Sequence, residues 1–386
     1  HLACSPDGRV LYLSGAQAGY RGDDARKVCY RQAVYRLNLD GKGPAEILTG
    51  DDENSGGPGF YVNRPKGLAC DSKGNVYVCN YGADNICVYS PRGGLLRSFE
   101  VKHPQAVAVH PKTGRVYVLA GKELGYEKYG YDFEATLLEA RLLRFSPEGK
   151  LERQKKLPDA YVREVKTRPG PSYQLRFAAD FSGKRPVVWL GVASPSAREA
   201  KYSLLRVEDG PAGFSAPRDV CPQPKDALVD APLQLALDRE NDVLYVHDAC
   251  RRLLQSRLVR FSGDGKPLPP VLLGTKGEEP YNFSEIAFGP DGLIYTTAWQ
   301  GLWGGSSKTT LMRFAKTGQP VPFPAGSDAE RLIRSMKGAR GHSSRGIAVG
   351  PDGRVHVLYY DRARPAKGRR PWEAGCATRA GGSTAA

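Results

Sequence analysis

The sequence predicts an all-β fold, a β-propeller of four-stranded antiparallel blades with seven repeats, and three observations carry that prediction. An inner-strand opening recurs seven times, a second strand follows each opening, and a third-strand signature of two aliphatic residues, Arg and a hydrophobe recurs along the chain. Gly, Pro, Asn and Asp divide the runs, which is hairpin chemistry.

The shortest clean copy runs from Gly67 to Phe99. Gly67 to Asp71 and Asn75 to Cys79 are separated by a Ser-Lys-Gly turn, and Ile86 to Tyr89 and Leu95 to Phe99 by Pro-Arg-Gly-Gly. Four short runs rich in β-branched and aromatic residues make one antiparallel meander. The opening recurs as HLACSPDG at His1, GLACDSKG at Gly67, AVAVHPKTG at Ala106, QLRFAADFSG at Gln174, QLALDREND at Gln234, EIAFGPDG at Glu285 and GIAVGPDG at Gly346. Second strands start at Val10, Val76, Val116, Val187, Val243, Ile294 and Val355. Third strands end VYRL at Leu37, LLRF at Phe145, LLRV at Val207, LVRF at Phe261 and LMRF at Phe314, and the clean copy is read as replacing the Arg with Tyr89.

These residues resemble the NHL-type repeat and, beyond it, the wider group of propellers that includes the SMP-30/gluconolactonase-like proteins. The resemblance covers nearly the whole chain. It implies radially packed four-stranded blades, a frame that unrelated functions share. A metal-dependent lactonase of that group implies a carboxylate and amide-oxygen cage for a hard cation, to which Glu285 and Asn282 would contribute, although the group's EGP-type opening is missing here. The amidating-lyase propellers imply a histidine-bound zinc. His103, His247 and His342 are the histidines near the favoured face, and they fall in different repeats.

A repeat extending from end to end places one propeller over residues 1–361 of the 386, with a basic, Gly/Ala-rich segment at 362–386. The chain opens on His1 inside an inner strand, and the seventh repeat shows two inner strands, a trace of a third at Ala377 to Ala380 and no fourth. The expectation is a trimmed chain whose last blade is incomplete, a six-bladed closure being the structural alternative. Self-association or a partner strand would complete that edge. No apolar run of about 18 residues occurs, so no membrane span is expected.

The formal net charge is +15, with one dense basic run from Arg362 to Arg370. An anionic polymer is a fitting partner. No periodic aromatic platform accompanies the charge, which argues against nucleic acid. The eight cysteines contain no CxxC pair, and Cys79 and Cys87 are assigned the same facing parity in one hairpin.

First-to-second turns stay short throughout, while the second-to-third and blade-to-blade connections carry the insertions. In an up-and-down blade these two connection types leave the same face, so function is expected there. Candidate contacts on this loop-rich face are Tyr20, Arg21, Tyr129, Tyr131, Trp299 and Trp303. A short helix is read at Glu330 to Met336, and a helical turn near Glu134 to Arg141. Residues opening the inner strands face the channel mouth in this alignment, giving Gln174, Gln234 and Glu285 with Lys66 and Arg345 as a ligand-binding set. Metal candidates are Glu285, Asn282, Asp51 and Asp52, with Ca²⁺ as the alternative to no cofactor. The function expected is a non-catalytic, extracytoplasmic or secreted module that binds a protein or an anionic polymer, with a metal-dependent lactonase or lyase as the alternative.

Overall fold

A computed structural model describes residues 1–14, 17–20, 28–30, 32–39, 45–51, 64–124, 136–157, 174–193, 203–221, 232–250, 255–275, 278, 281–299, 310–324, 343–350 and 352–360. The expected helix at Glu330 to Met336 and the basic segment 362–386 lie outside them. Two compact units are present: His1–Asn38 with Gly43–Asp219, and Leu39–Lys42 with Val220–Ala386.

Unit 1 holds four blades. The first pairs Leu2–Cys4, Val10–Ser14, Gln32–Asn38 and Glu46–Asp51 in that order, and the second pairs Pro65–Cys70, Val76–Asn80, Asn85–Tyr89 and Leu95–Glu100. The third pairs Pro104–Val109, Val116–Leu124, Thr136–Phe145 and Leu151–Lys156; the fourth pairs Gln174–Asp180, Val187–Ala193 and Ser203–Gly210, with the short Gly213–Phe214 and Arg218–Asp219 outside. In unit 2 the fifth blade pairs Pro232–Asp238, Val243–Cys250, Gln255–Ser262 and Pro267–Val271. The sixth has Asn282–Phe288, Ile294–Trp299 and Thr310–Phe314, and the seventh repeat contributes the ladder of Ser343–Val349 with Val355–Tyr360. Six of these sheets thus carry three or more strands among the described residues, and the fold is a β-propeller of antiparallel blades.

Each core lies between two neighbouring sheets. Val76, Val78, Cys87 and Tyr89 pack toward blade one with Tyr12 and Val34, while Tyr77, Cys79, Ile86 and Val88 pack toward blade three with Val116, Val118 and Phe145. Blades three and four, five and six, and six and seven repeat the arrangement. A second strand sandwiched on both sides has no solvent face, so all five residues of Val76–Asn80 are buried. Cys79 pairs with Ile86 and Val78 with Cys87, so the two thiols point to opposite faces. Their expected common parity is corrected on that register.

The third-strand Arg has a cross-strand partner in the second strand. Tyr12 lies opposite Arg36, Tyr117 opposite Arg144, Trp189 opposite Arg206, Tyr245 opposite Arg260 and Tyr295 opposite Arg313. The guanidinium of Arg206 sits 5.8 Å from the Trp189 ring centroid and that of Arg260 5.9 Å from Tyr245. In blade two Val88, not Tyr89, occupies the Arg register, opposite Tyr77. The guanidinium comes instead from the fourth strand: Arg97 lies opposite Val88, and its Nη2 donates to Tyr77 Oη at 2.7 Å. A second correction concerns Thr136–Phe145, which is strand throughout and extends the hairpin to Leu124↔Thr136, where a helical turn was expected.

A buried polar contact in unit 1 joins blades three and four. Tyr117 Oη donates to Asp209 Oδ2 at 2.6 Å, and Arg144 Nη1 donates to both Asp209 oxygens at 2.7 and 2.6 Å. Burial, and then the bond to Asp209, push the Tyr117 phenol well above its ordinary range, and burial acts likewise on Tyr12, Tyr77 and Tyr295. The folded chain therefore holds these protons more tightly than the unfolded one. Their contribution is whole below about pH 10 and is lost as the pH rises through the folded values. Tyr117→Phe is expected to cost about 1–3 kcal/mol at neutral pH and to flatten the alkaline loss of stability, as checked by urea melts across the alkaline range.

Third-to-fourth turns rest on the preceding blade. At Gly149, with φ +93°, an added Cβ would stand 2.6 Å from Phe99 Cδ1; at Gly292, in the first-to-second turn of blade six with φ +73°, it would meet nothing within 4 Å. Gly149→Ala is expected to lower stability by about 1–3 kcal/mol, and Gly292→Ala by about 1 kcal/mol from backbone strain alone, a ranking that paired thermal melts check.

Candidate functional site

Inner strands do not pair evenly along their length. The register skips between Pro65 and Leu68, Pro104 and Ala106, Pro232 and Gln234, Phe283 and Ile286, and Ser344 and Gly346. Each skip is a bulge, which leaves residues out of the ladder and re-aims them. Of the five expected channel-mouth residues, Lys66, Glu285 and Arg345 are bulge residues, whereas Gln174 pairs regularly with Ala193 and Gln234 with His247.

The bulge also explains Gly67. An added Cβ there would lie 2.7 Å from the Ala106 Cα, so the inner strands of blades two and three approach too closely for a side chain.

Gln234 has a structural task. Its Nε2 donates to the Ile286 carbonyl at 2.9 Å and its Oε1 accepts from the Ile286 N–H at 2.6 Å, clamping neighbouring inner strands together. Asn282 is also engaged, its Oδ1 accepting from Ser256 N–H at 2.8 Å. Glu285 is half-buried, and its carbonyl accepts from Thr296 Oγ1 at 2.9 Å. Trp299 ends the strand that pairs with Asn282 and is half-buried. Tyr20 and Asp51 lie on the strands Gln17–Tyr20 and Glu46–Asp51. Their side chains, with those of Gln174 and Arg345, and all of Arg21, Asp52, Tyr129, Tyr131, Trp303 and His342, lie outside the described residues. Among the described residues no group of three or more His, Cys, Asp or Glu is placed to hold a metal ion.

Lys66 does enter a cluster, at the loop-bearing end of unit 1. Ser14 Oγ donates to the Lys66 carbonyl at 2.6 Å, and Gln32 Oε1 accepts from Arg64 N–H, so blade one holds the segment that opens blade two. After the second strand the chain makes a 3₁₀ turn, Tyr81–Ala83, ended by Asp84 at φ 54°. Tyr81 N–H donates to the Arg64 carbonyl at 3.3 Å, and Val101 N–H to the Asp84 carbonyl at 2.9 Å. Asp84 Oδ1 accepts from His103 N–H at 2.8 Å and lies 3.1 Å from His103 Nδ1, while Lys102 Nζ stands 3.4 Å from Asp84 Oδ2.

Three side chains converge on the Tyr81 ring. The Arg64 guanidinium carbon is 4.7 Å from its centroid, Lys66 Nζ is 5.6 Å away, and the His103 ring centroid is at 5.4 Å. Arg64 and His103 share the left-handed conformation of Asp84, with φ 51° and 52°. A non-glycine residue held there costs about 1–3 kcal/mol, and such residues collect at ligand sites. Reasoning from sequence placed Lys66 at the mouth and His103 near the favoured face, but passed over Arg64, Tyr81 and Asp84. The available signal was the polar NYGADN run between two strands of the clean repeat.

Burial holds two of the described thiols in the neutral form. Burial, aided by Cys4 and Asp71, pushes the Cys70 thiol up to about 12, and burial raises Cys79 well above its ordinary value.

The Arg64–His103 cluster lies inside a stretch that resembles known proteins. Residues 2–122 match the SMP-30/gluconolactonase/LRE-like region. No curated protein sequence matches the chain. Among solved structures, a hydrazine synthase from Kuenenia stuttgartiensis is similar at TM-score 0.50 and 12% identity, over 94% of this chain and 95% of that one. An inactive virginiamycin B lyase from Staphylococcus aureus follows at 0.49 and 13%, over 93% and 90%. A gluconolactonase from Xanthomonas campestris stands at 0.40 and 15%, over 75% and 86%. At these identities the likeness is one of fold.

Gln234→Leu is expected to lower stability by about 1–3 kcal/mol, because the Ile286 amide and carbonyl lose their partners. Differential scanning calorimetry checks this.

Proposed function

We propose that the chain is an extracytoplasmic binding module that holds an anionic ligand on the loop-bearing face of unit 1. The observation that carries the reading is the convergence of Arg64, Lys66 and His103 on Tyr81. Two cations lie within 6 Å of one aromatic ring, and Asp84 engages His103 and Lys102 beside it. Cations held in place on an aromatic platform favour carboxylate, sulfate or phosphate groups. Main chain pinned at three left-handed residues pre-organises the site, which lowers the ordering cost of binding. The basic balance of the whole chain adds long-range attraction.

Binding of a sulfated or carboxylated polysaccharide is the test. Lys66→Ala and Arg64→Ala are each expected to weaken binding about five- to tenfold, and added salt to weaken it progressively. Isothermal titration at two ionic strengths reads both; binding unchanged in both variants would reject this site.

The family match over residues 2–122 favours a second reading, an enzyme of the lactonase type. A thermal-shift titration with Ca²⁺ and Zn²⁺ beside a lactone hydrolysis assay tests it. Metal-dependent turnover that survives Arg64→Ala would move the function away from the Tyr81 cluster.

A further inference from the structure

The opposite end of unit 1 carries a different surface. Its short turns present Lys73, Arg92, Lys112, Lys150 and Lys184, all exposed. None of these five has an ion pair among the described residues, in contrast to Arg115 with Glu152 and Arg185 with Glu208. Neighbouring acids are occupied within their own turns: Asp71 accepts from the Lys73 and Asn75 amides, and Glu148 from Ser146 Oγ. Among the described residues these five cations are therefore left without a direct ion-pair partner.

Apolar side chains ring the same end. Ile47, Leu95, Leu96 and Leu151 are 46%, 44%, 52% and 47% exposed, and each is the first or second residue of a fourth strand; Leu95 and Leu96 follow the Arg92 turn and Leu151 the Lys150 turn. The register skip between Leu95 and Arg97 sets Leu96 out of the ladder. Three successive blades repeat this placement. Exposed leucines beside unpaired cations on one end of a sheet assembly gain nothing in water, and their recurrence marks an interaction surface.

We propose that this end of unit 1 seats on an anionic lipid bilayer, the basic turns meeting the headgroups and the fourth-strand leucines entering the interface. Charge selects an anionic partner. The leucines select a bilayer over a soluble polyanion, because only a phase with an apolar layer rewards their burial. The attachment is peripheral and needs no spanning segment.

The full chain is tested by co-sedimentation with vesicles of phosphatidylcholine alone and with about 30% phosphatidylserine. Binding is expected on the anionic vesicles only, and weaker at high salt. Leu95→Ser/Leu96→Ser is expected to reduce it about tenfold, as is Lys73→Glu/Lys112→Glu. Circular dichroism confirms folding, and the single Leu96→Ser, outside the ladder, replaces the double variant if that one melts early. No binding to anionic vesicles, or binding that the leucine variants leave intact, overturns the proposal. Equal binding to a soluble polyanion with no leucine dependence assigns the surface to a polymer and overturns it as well.

Discussion

Burial between adjacent sheets is the constraint on which the rest depends. The second strands of blades two, three and six are sandwiched, so they must be apolar on both faces, and any polar atom they carry needs a partner from a neighbour. The cross-strand Tyr or Trp with Arg meets that demand. The aromatic ring fills the sandwich, and the guanidinium lies over it or beside its hydroxyl. Where the third strand lacks the Arg, as at Val88, the fourth strand supplies Arg97 at the same place. The pairing is conserved as geometry although the residue has moved by a strand.

The same constraint concentrates polar chemistry at the ends of the blades. Within a sandwich a charge is tolerated only when fully engaged, as Asp209 is by Arg144 and Tyr117. At the loop-bearing end the inner strands bulge, and Lys66 and Glu285 leave the ladder there. The bulge takes a strand residue out of the ladder, while a residue in register, Gln234, fastens its neighbour. Two residues of one predicted column thus have opposite fates for a reason that is purely one of register.

The two ends of unit 1 differ in character. One end has strained main chain, a shared aromatic ring and a carboxylate that engages His103. The other has short turns, unpaired cations and apolar side chains at the start of outer strands. The sheet assembly of unit 1 keeps both chemistries apart on a single frame.

By itself the sequence determined the blade. Period-two runs, turn glycines and the repeated Arg specify four short strands, their order and the end from which long connections leave, because these follow from local chemistry repeated along the chain. What only tertiary structure decided was which side chains meet. Arg64, Tyr81 and His103 lie far apart in sequence, and Gln234 and Ile286 belong to different blades. Their contacts arise from bulges and from sheet packing, and a shift of one residue in register, as between Cys79 and Cys87, turns a side chain to the opposite face. No pattern within one repeat encodes that.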